Sequence, residues 1–286
     1  MSFVMCFKEK MKTTNITRKE CNRLRLANAV NHIDFTFEEA LAEGERVIKK
    51  KIESLEFLFE RSNEEYDELA YDSDGYMVDS PEVESILADI SNYEYDIEMN
   101  KEQLYCFSEM KIIHLFKAYE VTMKRIVKTA YPTANERDFF NWEKLITFSR
   151  VRGVALKKLE GFDEVNQLRV VNNNIKHSAG VSSEVIRHVP FFSESRYFTL
   201  ESLNEFYLTV RDCIFPFLQA MAFEFDKAVF EQSDEKLDKI VAEYSKVMSS
   251  SELKMLSEKL RVMSEQDDNV SILDYLKAVA ITRERT

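Results

Sequence analysis

Hydrophobic positions begin to recur with helical spacing at Thr36, where Thr36-Phe37-Glu38-Glu39 has the form of a capping box and Val47, Ile52, Leu55, Leu58 and Phe59 follow. This predicts a helix running to about Leu69. The acidic stretch Tyr71–Ser80, which contains Gly75, reads as a loop. Ser80-Pro81 then opens a second helix, with Ser as cap and Pro at the first helical position. From Val83 through Ile97, Leu104, Ile113, Tyr119 and Ile126, apolar residues return every three or four positions until Tyr131-Pro132. The stripe predicts one very long helix, or two with a break near Asn100, which would pair with the first as an antiparallel hairpin.

Shorter periodic segments follow. Phe139–Val151, with the single tryptophan Trp142, is a short amphipathic helix, and Gly153 to Gly161 is a connector. Asp163 is expected to cap a helix through Val165, Leu168, Val171 and Ile175, with Gly180 as its left-handed stop. Val185–Ser195, with Pro190, reads as a linker with exposed aromatics and room for a short strand or hairpin. Thr199–Phe225 is a strong helix with a candidate kink at Pro216. Helices are expected near Asp234–Met248, Ser251–Met263 and Ser271–Arg283. Residues 1–33 show weak periodicity, as in an arm or docking segment.

Composition points to the same class. Only 5 Gly and 4 Pro occur in 286 residues, too few turn formers for a β-rich or doubly wound chain. The expectation is an all-α protein: an N-terminal arm (1–35), a long antiparallel helical hairpin with a helical bundle (36–228), and a C-terminal helical tail (229–286). The formal net charge of −12 repels nucleic acid on average, so any nucleic-acid contact needs a local basic patch. No apolar run approaches the roughly 18 residues of a membrane span, and no membrane partner is expected. In MSFVMCFKEK the lysines follow the apolar residues, the reverse of a secretory signal. Cys6, Cys21, Cys106 and Cys213 lack redox or metal-ligand spacing, in keeping with reduced thiols in the cytoplasm.

Candidate chemistry is sparse. The sequence has no phosphate-binding glycine loop, HExxH, paired CxxC or GxSxG. No two of His32, His114, His177 and His188 have the spacing of a helical metal site, and neither a metal nor another cofactor is expected. His114, among Ile112, Ile113, Leu115 and Phe116, reads more readily as a structural histidine than as a ligand or base. His177 stands apart because it ends the stretch LRVVNNNIKHSAG. Three consecutive asparagines are poor helix formers, and a local cost of that kind often marks a functional site. Arg169, Asn173 and His177 share one face at i, i+4 and i+8, and present a guanidinium, a carboxamide and an imidazole. Those groups suit a phosphate and a proton transfer. A polar face pairing with neighbouring helices is the structural alternative. Between Glu143 and His177, seven basic residues (Lys144, Arg150, Arg152, Lys157, Lys158, Arg169, Lys176) stand against four acids. Of these, Arg150, Arg152, Lys157, Lys158 and Lys176, with Asn172 and Asn174, are the candidate substrate-binding set.

LRVVNNNIKHSAG resembles the signature helix of HEPN-type proteins, helical domains of prokaryotic toxin–antitoxin and phage-defence systems. The resemblance covers roughly Ser108–Phe225. It implies a HEPN-like bundle and, as in active members with an Arg-x4–6-His motif, metal-independent RNA cleavage, often across a homodimer. His177 would then be the catalytic histidine, Arg169 would steady the phosphate charge and Asn173 would orient it. Seven residues separate Arg169 from His177, and the nearer position that carries Arg in the family holds Asn172 here. Two functions follow: an RNA-binding or ribonuclease effector, or a non-catalytic interaction or dimerisation subunit of a defence complex.

Overall fold

The computed structural model describes residues 16–31, 33, 35–71, 80–139, 141–231, 234–264 and 269–270. The protein is all-α. Its helices are α1 (Arg18–Val30), α2 (Thr36–Leu69), α3 (Pro81–Ala130), α4 (Trp142–Val151), α5 (Phe162–His177), α6 (Ser183–His188), α7 (Leu200–Phe230), α8 (Asp234–Val247) and α9 (Ser250–Ser264). Short 3₁₀ turns occupy Glu136–Asp138, Leu156–Lys158 and Pro190–Phe192. A two-residue antiparallel pairing sets Ile16 opposite Val270 and Thr17 opposite Asn269. The loop expected between Tyr71 and Ser80 lies largely outside the described residues. So do His32, the helix expected at Ser271–Arg283 and the first half of the N-terminal arm.

Local chemistry accounts for several helix boundaries. The Ser80 hydroxyl accepts the Val83 N–H at 3.2 Å, as a cap before Pro81 should. Asn141 caps α4 by accepting the Lys144 N–H. Thr199 and Ser202 exchange backbone-to-side-chain bonds at the start of α7. Other expectations fail. Phe35, which offers no side-chain cap bond, stands at the N-cap of α2. Gly161, at φ +82°, precedes α5, and Asp163 lies inside its first turn. Of the two alternatives for the long stripe, the single helix holds: α3 is continuous through Asn100, whose buried Nδ2 bonds back to the Asp96 carbonyl within the same helix. The second half of the expected N-terminal arm is helical, and Cys21, Leu26, Ala29 and Val30 of α1 are buried. The expected linker at Val185–Ser195 contains neither strand nor hairpin. It holds the end of α6 and a 3₁₀ turn, with Phe192 fully buried against Phe198 and Phe206 at 4.8 and 5.3 Å between ring centroids.

Contacts gather the chain into two compact units, neither contiguous in sequence. The first comprises Met1–Ile33, Val121–Glu160 and Phe215–Thr286, and the second Asp34–Glu120 and Gly161–Ile214. In the first unit, Tyr131 meets Phe148 and Phe225 edge-on, and Phe139 packs on Phe148. Arg23 of α1 grips Asp226 of α7 through Nε and Nη2. In the second unit, Ile52 of α2 clusters with Ile97 and Leu104 of α3 and with Leu200 of α7. Further along, Glu45 lies against Lys111, and Phe37 stacks on His114 at 5.3 Å. Partners on α2 and α3 thus run in opposite order, so these segments are antiparallel.

Candidate functional site

α5 buries most of its circumference. Phe162, Val165, Leu168, Val170, Val171, Asn172 and Asn174 all face inward. Of the remaining positions, Asp163, Asn173, Lys176 and His177 are exposed, and Glu164, Asn166, Gln167, Arg169 and Ile175 are half-buried. The i, i+4, i+8 face expected from the sequence lies on the solvent-reached side of the helix, half-buried at Arg169 and exposed at Asn173 and His177.

The side chains on that side differ in freedom. His177 is exposed at the last helical position and makes no hydrogen bond among the described residues. Asn173 is exposed and accepts a bond from Asn172 at 3.2 Å. Lys176 is exposed, with its ammonium 5.9 Å from the centre of the Phe116 ring. Arg169 is half-buried, and its Nε donates to Asn166 Oδ1 at 3.2 Å. It also acts on the buried Tyr119 hydroxyl. Burial pushes that hydroxyl well above its ordinary pKa, Glu120 adds to the rise, and the Arg169 guanidinium opposes it. Arg169 thus supplies positive charge at the inner edge of that face.

The other two asparagines do different work. Asn174 spends both ends of its carboxamide on the chain beyond the helix. Its Nδ2 donates to the Gly180 carbonyl at 2.8 Å, and its Oδ1 accepts the Ser182 N–H at 2.9 Å. Asn172 is 1% exposed, and its Oδ1 has no hydrogen-bond partner among the described residues. Both side chains are buried beneath the exposed positions of the helix. The helical cost of Asn174 is offset by a turn it builds.

Gly180 is not the left-handed stop expected from the sequence; Gly153 and Gly161 are the positive-φ glycines among the described residues. The helix ends because Ser178 turns extended, at φ −142° and ψ 138°. Gly180 admits a neighbour instead. A methyl group there would come within 3.3 Å of the Arg196 carbonyl oxygen and 3.6 Å of the Tyr197 ring. The Val181 N–H donates to that same carbonyl at 3.1 Å. The Arg196–Tyr197 segment is thereby fixed beside the helix end, which no spacing in the sequence signals.

Arg150, Arg152, Lys157 and Lys158 belong to the first unit. Arg150, Lys157 and Lys158 are exposed. Arg152 is not a free cation: its guanidinium lies 3.4 Å from the Phe148 ring centre and 4.9 Å from that of Tyr131, and Nη1 donates to the Phe148 carbonyl. It lines an open groove of about 410 Å³ with Asp138, Glu143, Lys144, Thr147, Phe148 and Val151. The acids there balance the bases, so the groove is not a basic patch. Among the described residues, no group of three or more His, Cys, Asp or Glu side chains could hold a metal ion. No helix among them is long and apolar enough to cross a membrane.

The sequence patterns also missed a charged seam in the second unit. Arg211 of α7 binds both oxygens of Glu38 on α2, and the Tyr207 hydroxyl donates to Oε1 of the same carboxylate. Lys111 of α3 lies 2.6 Å from Glu45 Oε1, off the hydrogen-bonding direction, and donates to Asn204 Oδ1 at 3.0 Å. These pairs tie α2, α3 and α7 together.

Neither a model of a known protein family, nor a curated protein, nor a solved structure matches the chain.

Proposed function

We propose that the protein is a HEPN-like RNA-binding effector of a prokaryotic phage-defence or toxin system, working as a metal-independent ribonuclease at the end of α5. The reading is supported by one observation above all. His177 and Asn173 stand one turn apart on α5, both exposed, and the His177 ring is unbonded among the described residues. A neutral imidazole there takes the proton of a ribose 2′-hydroxyl. The 2′-oxygen bonds to the adjacent phosphorus, the phosphorus–O5′ bond breaks, and water returns a proton to the leaving 5′-oxygen. Asn173 and Lys176 orient the phosphate from the same face, with Arg169 contributing charge from its inner edge.

The test is cleavage of single-stranded RNA by the full chain in the presence of a chelator. His177→Ala is expected to lower the rate by about 10²–10⁴-fold, the usual contribution of a general acid–base group. Equal cleavage by both proteins, or none by the parent, would contradict the ribonuclease reading.

A second reading, a non-catalytic interaction or dimerisation subunit of a defence complex, draws on α8. Leu237, Ile240, Val241, Tyr244 and Val247 form one helical stripe, and all five are exposed. Analytical ultracentrifugation separates the two readings. On the second, the full chain self-associates and Ile240→Asp with Tyr244→Asp disperses it, while RNA has no effect.

A further inference from the structure

We infer that Tyr197 is the base-stacking platform of the α5 site, and that the ligand is therefore single-stranded RNA with an unpaired base beside the bound phosphate. This rests on the RNA reading of that site and names what it selects.

Tyr197 is 70% exposed, yet its ring is positioned rather than free. The ring lies beside Gly180, where an added methyl group would meet it in van der Waals contact at 3.6 Å and would crowd the Arg196 carbonyl oxygen at 3.3 Å. The segment carrying it is pinned by the bond from the Val181 N–H to the Arg196 carbonyl. The turn beneath is pinned in turn by Asn174, which holds both Gly180 and Ser182. Gly180 is three residues from His177, so their α-carbons are at most about 11 Å apart. A large aromatic surface left open to water, carried by a backbone segment held in hydrogen bonds and adjoined in sequence by the exposed Arg196, has the chemistry of a base platform. Paired bases hide their faces in the stack, so a platform of this kind selects unpaired ones. Every base has such a face, which makes the contact tolerant of sequence.

Binding is measured in a His177→Ala background, so that the RNA stays intact. The probe is a short single-stranded oligoribonucleotide carrying 2-aminopurine, read by anisotropy and by quenching of the analogue. Adding Tyr197→Ala is expected to weaken binding about 5- to 100-fold and to abolish the quenching. Adding Tyr197→Phe, which keeps the ring, should leave both within about twofold. Unchanged binding and quenching in Tyr197→Ala would overturn the platform while leaving RNA binding at α5 intact. Equal losses in the Phe and Ala proteins would overturn it too, because the hydroxyl and not the ring would then be acting. If the His177→Ala parent does not bind the oligoribonucleotide, the RNA reading falls and the platform with it.

Discussion

Arg211 holds Glu38 with a paired grip, Nε to Oε1 at 2.7 Å and Nη2 to Oε2 at 2.9 Å, across 173 residues of sequence. The guanidinium hydrogen bonds keep the Glu38 carboxyl below its ordinary pKa, against burial, and the Tyr207 hydroxyl adds to the lowering. A depressed carboxyl stabilises the fold at neutral pH, and that contribution is lost as pH falls below the unfolded value toward the folded one. Thermal melts of wild type and Glu38→Gln across pH 3–7 check this. Glu38→Gln should be the less stable protein at pH 7, by roughly 1 kcal/mol because Arg211 is partly exposed. The two melting curves should converge toward pH 3. A constant gap would mean that the grip does not depend on the ionised carboxylate.

How much of this was legible beforehand depends on the range of the forces involved. The start of α3 is set by Ser80 and Pro81, three residues from the amide they serve, and local sequence reveals it. The all-α class follows from periodicity and the scarcity of Gly and Pro. Glu38 sits where a capping box was expected, but its partners are Tyr207 and Arg211, which no local pattern can supply. Phe192 lies in a stretch with linker composition, and its burial is decided by Phe198 and Phe206. The asparagine run has a mixed structural cause. Asn173 reaches solvent as expected, whereas Asn174 is there to build the turn that carries Gly180. Tyr197 carries no local signal, because its segment is placed by the bond from the Val181 N–H to the Arg196 carbonyl, 15 residues apart.

Asn174→Ala should destabilise the protein by roughly 1 kcal/mol, since it removes the partners of the Gly180 carbonyl and the Ser182 N–H in a half-buried turn. Chemical denaturation gives the size. Amide exchange at Ser182 should accelerate more than exchange at Val171, inside α5. Loss of protection along all of α5 instead would show that Asn174 supports the helix and not the turn.

The exposed cations of the first unit separate from Arg152. Reversing Arg150, Lys157 and Lys158 to Glu should leave the melting temperature nearly unchanged, because all three are solvated. Arg152→Glu should lower it, because the guanidinium is stacked on Phe148. If the three solvated cations also neutralise RNA phosphates, their reversal should reduce the salt slope of binding by about 0.7 for each phosphate no longer neutralised. An unchanged slope would show them to be an ordinary solvated surface.

The most direct measurement is photocrosslinking of single-stranded RNA to the intact chain, with the RNA-bearing peptides mapped by mass spectrometry. Crosslinks are expected in the peptides containing Asn173–His177 and Arg196–Tyr197. They should fade in Tyr197→Ala and persist in His177→Ala, which removes proton transfer without removing the surface. Crosslinks confined to the Lys144–Lys158 segment, or to the α8 and α9 helices, would contradict the assignment of α5 as the site, as would the absence of any crosslink.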